Sequence, residues 1–251
     1  MIPYLHLPIF SLGPITVHTW GFFVSLGFLV GLLLARHEAK RRGLATEKVV
    51  DLCFWIIIGA LFGARLSHVL FYEPSFYLAR PLEILKVWQG GLSSFGGFFG
   101  AILVGWLYLK KQKLNFLQWA DVIIFGLPLG WGIGRLGCFL THLHPGVKSN
   151  FFLAVNFPDG PRLEMGLLEA IFSLLFFGYF LLMRRRPRWR GFYLINFALI
   201  YGVWRFFADF LRAQDIGGGV DARYLGLTPA QYGSLIFIVV GLWLWLLLKK
   251  K

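Results

Sequence analysis

Four arginines lie within long apolar stretches of the sequence, where a charged side chain is costly to hold. They are Arg65, Arg135, Arg205 and Arg212. A guanidinium group presents a planar fork of donors that suits the oxygens of a phosphate. These positions therefore indicate either a phosphate-binding site at the depth of lipid headgroups, or structural arginines that extend toward the membrane surface to stay hydrated.

The arginines near residue 210 have a regular spacing. Arg205, Asp209 and Arg212 fall on one face of a helix, and Tyr201 lies one turn earlier on that face. Asp209 is expected to neutralise and orient one of its neighbouring arginines. Arg135 stands in GIGRLG at the end of another apolar stretch. Because both groups lie several residues inside apolar sequence, we favour the phosphate-binding interpretation for them.

Histidines close to these arginines are the candidates for proton transfer. His144 and His142 follow Arg135 in the sequence. His68 lies one helical turn after Arg65. A loop histidine is usually only a solvated side chain, and His144 is preferred because it is close to Arg135 and precedes a Pro-Gly turn. The apolar surroundings of Cys138 predict a packed thiol rather than a reactive one.

The composition defines the class of protein that must position these side chains. The 251 residues are 57% hydrophobic and only 15% charged, with a mean hydropathy of +0.67. Soluble domains carry roughly 25% charged residues, and disordered chains are far less apolar than this one. The composition therefore excludes disorder and predicts an all-α polytopic membrane protein.

Seven apolar stretches are long enough to predict transmembrane helices. They cover residues 14–35, 49–72, 95–110, 118–140, 166–183, 191–213 and 229–248. Most of the 25 lysines and arginines lie in alternate loops, which predicts an outside N-terminus and a cytoplasmic C-terminus. The net charge of +13 is thus a record of topology, and no nucleic-acid partner is expected.

The loops predict one integral membrane domain over residues 1–251, with an outside cap at residues 141–165. Turn signals HPG and PDGP and the alternation at residues 151–157 favour either a small strand-containing cap or a plain loop. No lysine or arginine precedes Arg36, so no cleavable signal peptide is expected. The lack of an internal sequence repeat argues against an inverted-repeat transporter.

Small residues carry a second signal. Pairs of glycines four residues apart predict close helix packing: Gly27 and Gly31, Gly59 and Gly63, Gly96 and Gly100, and Gly130 and Gly134. The run GLPLGWGIG at residues 126–134 is a candidate break in its helix. The cysteines, Cys53 and Cys138, have no metal-ligand spacing, and neither a metal nor a cofactor is expected.

Several motifs then resemble a known family. They are VHTWG at residues 17–21, GARLSHVLFY at 63–72, WQGGLSSFGG at 88–97, GRLGCF at 134–139 and YGVWRFFADFLR at 201–212. In their order, spacing and membrane placement they resemble the prolipoprotein diacylglyceryl transferase family of bacterial inner membranes.

The resemblance implies an activity. Such enzymes move the diacylglyceryl group of phosphatidylglycerol onto the thiol of the lipobox cysteine in a preprolipoprotein, forming a thioether and releasing glycerol phosphate. It also implies a multi-pass enzyme of the inner membrane, with the cap at residues 141–165 in the periplasm. The expected partners are phosphatidylglycerol, the lipobox peptide and the bilayer.

Roles for the candidate residues follow from the resemblance. Arg135 and Arg205 are expected to hold the phosphate and stabilise charge on the leaving group, with His144 as the base. Glu169 is expected to pair with an arginine and Tyr201 to donate a hydrogen bond. The predicted substrate-binding residues are Arg65, Gly134, Gly137, Glu169, Tyr201, Asp209 and Arg212.

The sequence departs from the family pattern on the side of proton transfer. The family usually has histidine at the position of Phe95, asparagine at Cys138 and tyrosine at Trp20, and its His-Pro-x-Gln-Leu-Tyr-Glu stretch keeps only the final residue, Glu169. Three functions therefore stay open: this transferase, a related transferase with another lipid donor or acceptor, and a non-catalytic lipid-binding protein. Transport is a more distant alternative.

Overall fold

The computed structural model describes residues 1–13, 15–87, 91–216 and 223–249. These residues form two compact units, one made of residues 1–35 and 121–251 and the other of residues 36–120. The helices in chain order are α1 (Thr19–Arg41), α2 (Thr46–Phe71), α3 (Pro74–Ala79), α4 (Ser94–Lys111), α5 (Phe116–Thr141), α6 (Met165–Met183), α7 (Phe192–Ala208) and α8 (Pro229–Leu248).

Within the described residues, six helical segments are long and apolar enough to cross a membrane. They are Thr19–Arg41, Thr46–Phe71, Phe116–Thr141, Met165–Met183, Phe192–Leu211 and Pro229–Leu248. The remaining predicted span, residues 95–110, corresponds to α4, which has 18 residues. At about 1.5 Å per residue such a helix is close to the shortest that spans a hydrocarbon core of about 30 Å. Six spans are thus supported, and the seventh stays a prediction.

Short strands qualify the all-α prediction. An antiparallel hairpin of β1 (Ile9–Leu12) and β2 (Ile15–His18) precedes α1, with Ile9 opposite His18. The first span was predicted to begin at residue 14, but the helix begins at Thr19. The intervening stretch carries β-branched residues, which fit an extended strand better than the first turn of a helix.

The segment at residues 141–165 forms the strand-containing alternative rather than a plain loop. Its strands β3 (Pro145–Lys148), β4 (Val155–Phe157) and β5 (Gly160–Glu164) make an antiparallel sheet in the order β3-β5-β4. The turn between β4 and β5 uses Gly160 at φ 117°, a conformation that favours glycine. Because β5 runs directly into α6, the sheet sets where that helix begins.

Close helix packing at the glycine pairs is confirmed within each unit. In the unit of residues 36–120, Gly59 on α2 lies against Gly100 on α4, and a Cβ on Gly59 would come 2.6 Å from the Gly100 carbonyl oxygen. In the other unit, Gly31 on α1 faces Gly126 on α5, where a Cβ would come 2.7 Å from the Gly31 oxygen. Only glycine permits backbones to approach this closely.

Helix α5 continues through the candidate break, with Pro128 inside it. Near its start, the buried carboxylate of Asp121 accepts hydrogen bonds from the backbone N–H groups of Gly191 (2.8 Å) and Leu194 (2.9 Å). These bonds satisfy donors that the first turn of α7 leaves open. They tie the start of α7 to α5, and a buried aromatic cluster centred on Phe125, Phe180 and Tyr193 packs beside this junction.

Candidate active site

Residues from several elements of one unit meet at the end of α7. Arg135 comes from the last turns of α5, Glu169 from the second turn of α6 and Arg205 from the last turn of α7. Asp209 begins a short 3-10 turn, Asp209–Leu211, that continues α7, and Arg212 follows it. The side chains carry opposite charges and lie in direct contact.

Glu169 is the centre of this cluster. Its carboxylate is 1% exposed, and Oε1 accepts a hydrogen bond of 2.7 Å from Nη1 of Arg205. The other oxygen, Oε2, forms an ion pair with Nε of Arg135. The sequence predicted that Glu169 pairs with an arginine. In the structure its carboxylate joins two arginines from different helices.

Asp209 holds the same face of α7. Its Oδ1 lies 2.9 Å from Nη2 of Arg205 and 3.9 Å from Nη1 of Arg212. Its Oδ2 accepts a hydrogen bond from the hydroxyl of Thr228. Asp209 is itself fully buried, so its carboxylate orients Arg205 from the buried side of the cluster.

Thr228 was missed from the sequence. It is the N-cap of α8 and forms a capping box with Gln231, whose side chain also donates to the carbonyl of Phe206 (3.1 Å). The spacing Thr-x-x-Gln before an apolar run is the sequence signal of such a box. It predicts the start of α8, but nothing in it predicts that the Thr228 hydroxyl also reaches Asp209.

The cluster presents its positive side outward. Glu169 and Asp209 are 1% exposed, whereas the Arg135, Arg205 and Arg212 side chains keep 13–16% of their surface accessible. Three guanidinium groups against two carboxylates leave one net positive charge. That charge matches a phosphodiester, which carries one negative charge.

Aromatic rings surround the arginines. The guanidinium of Arg135 lies 4.9 Å from the centre of the Trp131 ring, and this ring is 6.1 Å from that of Tyr201. Tyr201 is 8% exposed and stacks on Phe197 at 5.1 Å. Such rings give the arginine a flat, weakly hydrated support. The hydrogen bond from Tyr201 to a substrate stays a prediction.

His144 lies beside the arginines, as its place in the sequence predicted. Its Nδ1 is 3.3 Å from Nη2 of Arg212, and since arginine only donates, the imidazole accepts there. The backbone explains the contact, because Ala213 N–H donates to the Pro145 carbonyl (3.1 Å) and draws the two segments together. Burial, followed by the charges of Arg135 and the other two arginines, lowers the pKa of His144 to about 3.

A second titratable group near the cluster, Glu164, was not identified from the sequence. It is the last residue of β5 and the N-cap of α6, where its Oε2 accepts from the Leu167 N–H at 2.7 Å. Burial is the main cause that raises the pKa of Glu164 to about 8. The family pattern offered no signal for it.

The remaining predicted residues of this unit have packing contacts. Nη1 of Arg135 lies 3.8 Å from Sγ of the buried Cys138. A Cβ on Gly137 would lie 2.8 Å from Cβ of Phe23, and one on Gly134 would lie 3.8 Å from a methyl carbon of Val24. These glycines therefore make room for α1, and their contact with a substrate stays a prediction.

Arg65 belongs to the other unit and has a different environment. Its guanidinium donates to the carbonyl oxygens of Ile84 (2.8 Å) and Gly91 (3.0 Å) and lies 5.0 Å from the centre of the Tyr77 ring. The role predicted for it in substrate binding stays a prediction. The motif residues 88–90 and the side chain of Phe95 lie outside the described part of the structure.

The other two candidate histidines are packed against aromatic rings. His142 stacks on Tyr4 at 4.4 Å, and burial lowers its pKa, while His68 stacks on Tyr72 at 5.2 Å. Among the described residues, no group of three or more His, Cys, Asp or Glu side chains is arranged to hold a metal ion.

Comparison with known proteins identifies the family. A family model described as prolipoprotein diacylglyceryl transferase matches residues 8–247. Proteins named phosphatidylglycerol–prolipoprotein diacylglyceryl transferase are similar over most of their length: 36% identity in Nitrosomonas europaea (92% of this chain, 86% of the relative) and 35% in Bordetella avium (96% and 93%). The relative of that name in Nitrosospira multiformis is 37% identical (92% and 82%). The chain belongs to the prolipoprotein diacylglyceryl transferase family.

Proposed function

We propose that this protein is a phosphatidylglycerol–prolipoprotein diacylglyceryl transferase. The thiol sulfur of the acceptor protein attacks the glycerol carbon that carries the phosphate ester. A carbon–sulfur bond forms, the carbon–oxygen bond breaks with its electron pair on the phosphate oxygen, and glycerol phosphate leaves. The observation that carries the proposal is the group of three arginines held on the two buried carboxylates of Glu169 and Asp209.

The first task of the site is to hold the donor lipid. Arg135 and Arg205 come from different helices, and the buried carboxylate of Glu169 holds both of them in place. Their remaining N–H donors are available to the non-bridging oxygens of a phosphodiester. Gly134, Gly137, Tyr201 and Arg65 complete the proposed set of substrate-binding residues. The net positive charge favours an anionic headgroup over a zwitterionic one.

The second task is to stabilise the leaving group. As the carbon–oxygen bond breaks, the phosphate gains a second negative charge. Arginines that are already oriented by buried carboxylates stabilise this charge without having to reorganise during the reaction. Arg212, which Asp209 and His144 contact, extends the same positive surface.

The third task is to activate the thiol, because the thiolate is the nucleophile. We propose that the thiol is that of the lipobox cysteine of a preprolipoprotein. His144 is the base proposed from the sequence. With a pKa near 3, however, its neutral imidazole is a much weaker base than a thiolate, whose thiol has an ordinary pKa of about 8.5.

The membrane setting supports the same function. Six apolar helices make this a multi-pass membrane protein, and its named relatives are bacterial. We propose the inner membrane, a single integral membrane domain of seven spans, an outside N-terminus and a cytoplasmic C-terminus. The sheet of residues 145–164 then lies on the periplasmic side as a cap beside the arginines.

The test uses purified protein in vesicles of phosphatidylglycerol with a lipobox peptide. The expected result is a peptide mass gain of one diacylglyceryl group with equimolar release of glycerol phosphate. A peptide with serine in place of the cysteine is the matched control and should gain nothing. Folded protein that binds phosphatidylglycerol without transfer would instead be a lipid-binding homologue, and transfer only from another lipid would assign a related transferase.

A further inference from the structure

Glu164 is a buried carboxyl group that is not part of the ion-paired cluster. It is fully buried, and only one of its oxygens has a clear function, since Oε2 caps α6 through the Leu167 N–H. The other oxygen, Oε1, has no hydrogen-bond partner within the described part of the chain. A buried acceptor without a partner is costly to keep, so such a group calls for an explanation beyond the cap.

The backbone places this carboxyl next to the arginine site. A Cβ on Gly166 would lie 3.0 Å from the carbonyl oxygen of Arg135 and 3.0 Å from Cβ of Cys138, so α6 begins directly against that turn of α5. On the other side, β5 pairs with β3, and Met165 N–H donates to the His144 carbonyl at 3.1 Å. Glu164 thus lies between the turn of Arg135 and the segment of His144.

The electrostatic surroundings of Glu164 suit proton transfer at neutral pH. Burial raises its pKa to about 8, the N–H groups of the α6 cap and the charge of Arg135 oppose this rise, and Glu169 adds to it. The thiol of Cys138 on α5 interacts electrostatically with it, and His144 directly precedes β3, the strand that pairs with β5. A base is most effective when its pKa is close to that of the group it deprotonates, and a thiol titrates at about 8.5.

We propose that Glu164 is the base that activates the acceptor thiol, with Oε1 as the atom that takes the proton. This inference rests on the proposed transferase function. The S–H bond breaks, its proton bonds to Oε1, and the sulfur forms its bond to the glycerol carbon while the ester oxygen departs. The proton then passes to water or to the departing phosphate, which restores the carboxylate. Because Oε1 is buried, the thiol contacts it only after the peptide has entered, directly or through one water molecule.

The balance of charge favours this arrangement. During the step, the negative charge on Glu164 is neutralised as a second negative charge develops on the phosphate beside Arg135 and Arg205. The total charge of the site is therefore unchanged, and the negative charge moves toward the arginines. Moving charge within a preorganised site costs less than creating a new one in a medium of low polarity.

The variant that tests the proposal is Glu164→Gln. The amide oxygen of glutamine can still accept from the Leu167 N–H, so the cap of α6 is kept while the proton acceptor is lost. We expect kcat with the lipobox peptide to fall by roughly 10²–10⁴-fold, with the KM for phosphatidylglycerol changed by less than about 3-fold. Glu164→Asp should recover part of the rate.

An acceptor that needs no base separates catalysis from structure. A peptide with selenocysteine in place of the cysteine is already ionised at neutral pH, so the Glu164→Gln variant should modify it at nearly the wild-type rate. In the wild type, kcat/KM for the thiol peptide should rise with pH up to about 8, whereas the variant should follow the ionisation of the free thiol.

Three outcomes would overturn the proposal. One is that the variant matches the wild type on the thiol peptide. Another is that it loses activity equally on both peptides, which would show a structural role alone. The third is that His144→Gln, rather than Glu164→Gln, shows a defect that selenocysteine repairs. If the wild type itself transfers nothing to either peptide, the proposed function fails first and this inference falls with it.

Discussion

Two ion-pair networks in the same unit are built with opposite partners facing outward. Arg162 on β5 is 2% exposed and binds Asp159 and Asp215, whose carboxylates are about half exposed. In the cluster at the end of α7 the carboxylates are the buried partners, and the arginines keep 13–16% of their surface accessible. Both networks are made of arginine–carboxylate pairs, so the difference is one of orientation.

That orientation determines what each network can do. Around Arg162 the positive charge is enclosed by carboxylates and by the carbonyl of Gly146, so no guanidinium surface is offered to a ligand. The network joins the sheet of residues 145–164 to the segment after α7. In the Glu169 cluster the buried anions fix the arginines and leave their outer edges accessible. Arginines and carboxylates therefore make a structural clamp around Arg162 and the proposed anion site at the Glu169 cluster.

Among the changes that test the comparison of the two networks, the largest effect is expected from removing an arginine of the Glu169 cluster. Arg205→Ala or Arg135→Ala should lower diacylglyceryl transfer by roughly 10²–10³-fold, because each removes donors aimed at the charge of the leaving group. The exposed arginine Arg186, in the loop after α6, provides the control, and Arg186→Ala should keep the wild-type rate. Wild-type transfer by folded Arg205→Ala protein would contradict the site assignment.

Removing the buried anion should separate binding from catalysis. Glu169→Gln leaves the arginines in place without their common carboxylate, which adds one net positive charge to the site. We expect kcat to fall by about 10–100-fold while the KM for phosphatidylglycerol stays equal or decreases, since a mispositioned cation still binds an anion. Breaking a buried pair should also lower the free energy of unfolding by about 3–5 kcal/mol. An unchanged melting temperature would mean that Glu169 does not hold the two arginines.

For the network around Arg162 we expect the opposite result, a change in stability without a change in catalysis. Arg162→Gln should lower the melting temperature, because it breaks a buried ion-pair network. Transfer per folded molecule should stay within about 3-fold of the wild type, because the partners of Arg162 (Asp159, Asp215 and the Gly146 carbonyl) do not belong to the Glu169 cluster. Arg162 lowers the pKa of Asp159 and of Asp215. Their stabilising contribution is therefore present above pH about 4 and is lost as the pH falls through their folded pKa values. The melting temperatures of variant and wild type should converge in acid.

The smallest effect is the one that Glu164 has on the pH dependence of stability, and its sign is opposite to that of Asp159 and Asp215. Its pKa is raised from 4.5 to about 8, so between these values the folded protein holds a proton that the unfolded chain has released. Wild-type stability should therefore decrease relative to Glu164→Gln as the pH rises from about 5 to 8. Melting curves of both proteins at several pH values provide the measurement, and a difference independent of pH would contradict a protonated Glu164.

Local regularities predicted a large part of the fold. The apolar stretches placed α5, α6 and α8 within two residues of their observed ends, because one helix period and one composition apply along each segment. The strands before α1 were missed, since a short run of β-branched residues beside an apolar helix carries no boundary signal that composition can detect. The cap was predicted only as one of two alternatives, because its strands are three to five residues long.

The sequence by itself determined the membrane class, the family and the pairing of Asp209 with a neighbouring arginine, because residues three or four apart on a helix are neighbours whatever the rest of the chain does. Only the tertiary structure decided that Glu169 joins Arg135 to Arg205, that Thr228 supports Asp209 and that Glu164 lies beside the turn of Arg135. These contacts link residues 19 to 36 positions apart, on different elements of the fold. Which faces meet depends on glycine contacts and on the sheet that sets where α6 begins, and no local spacing contains that information.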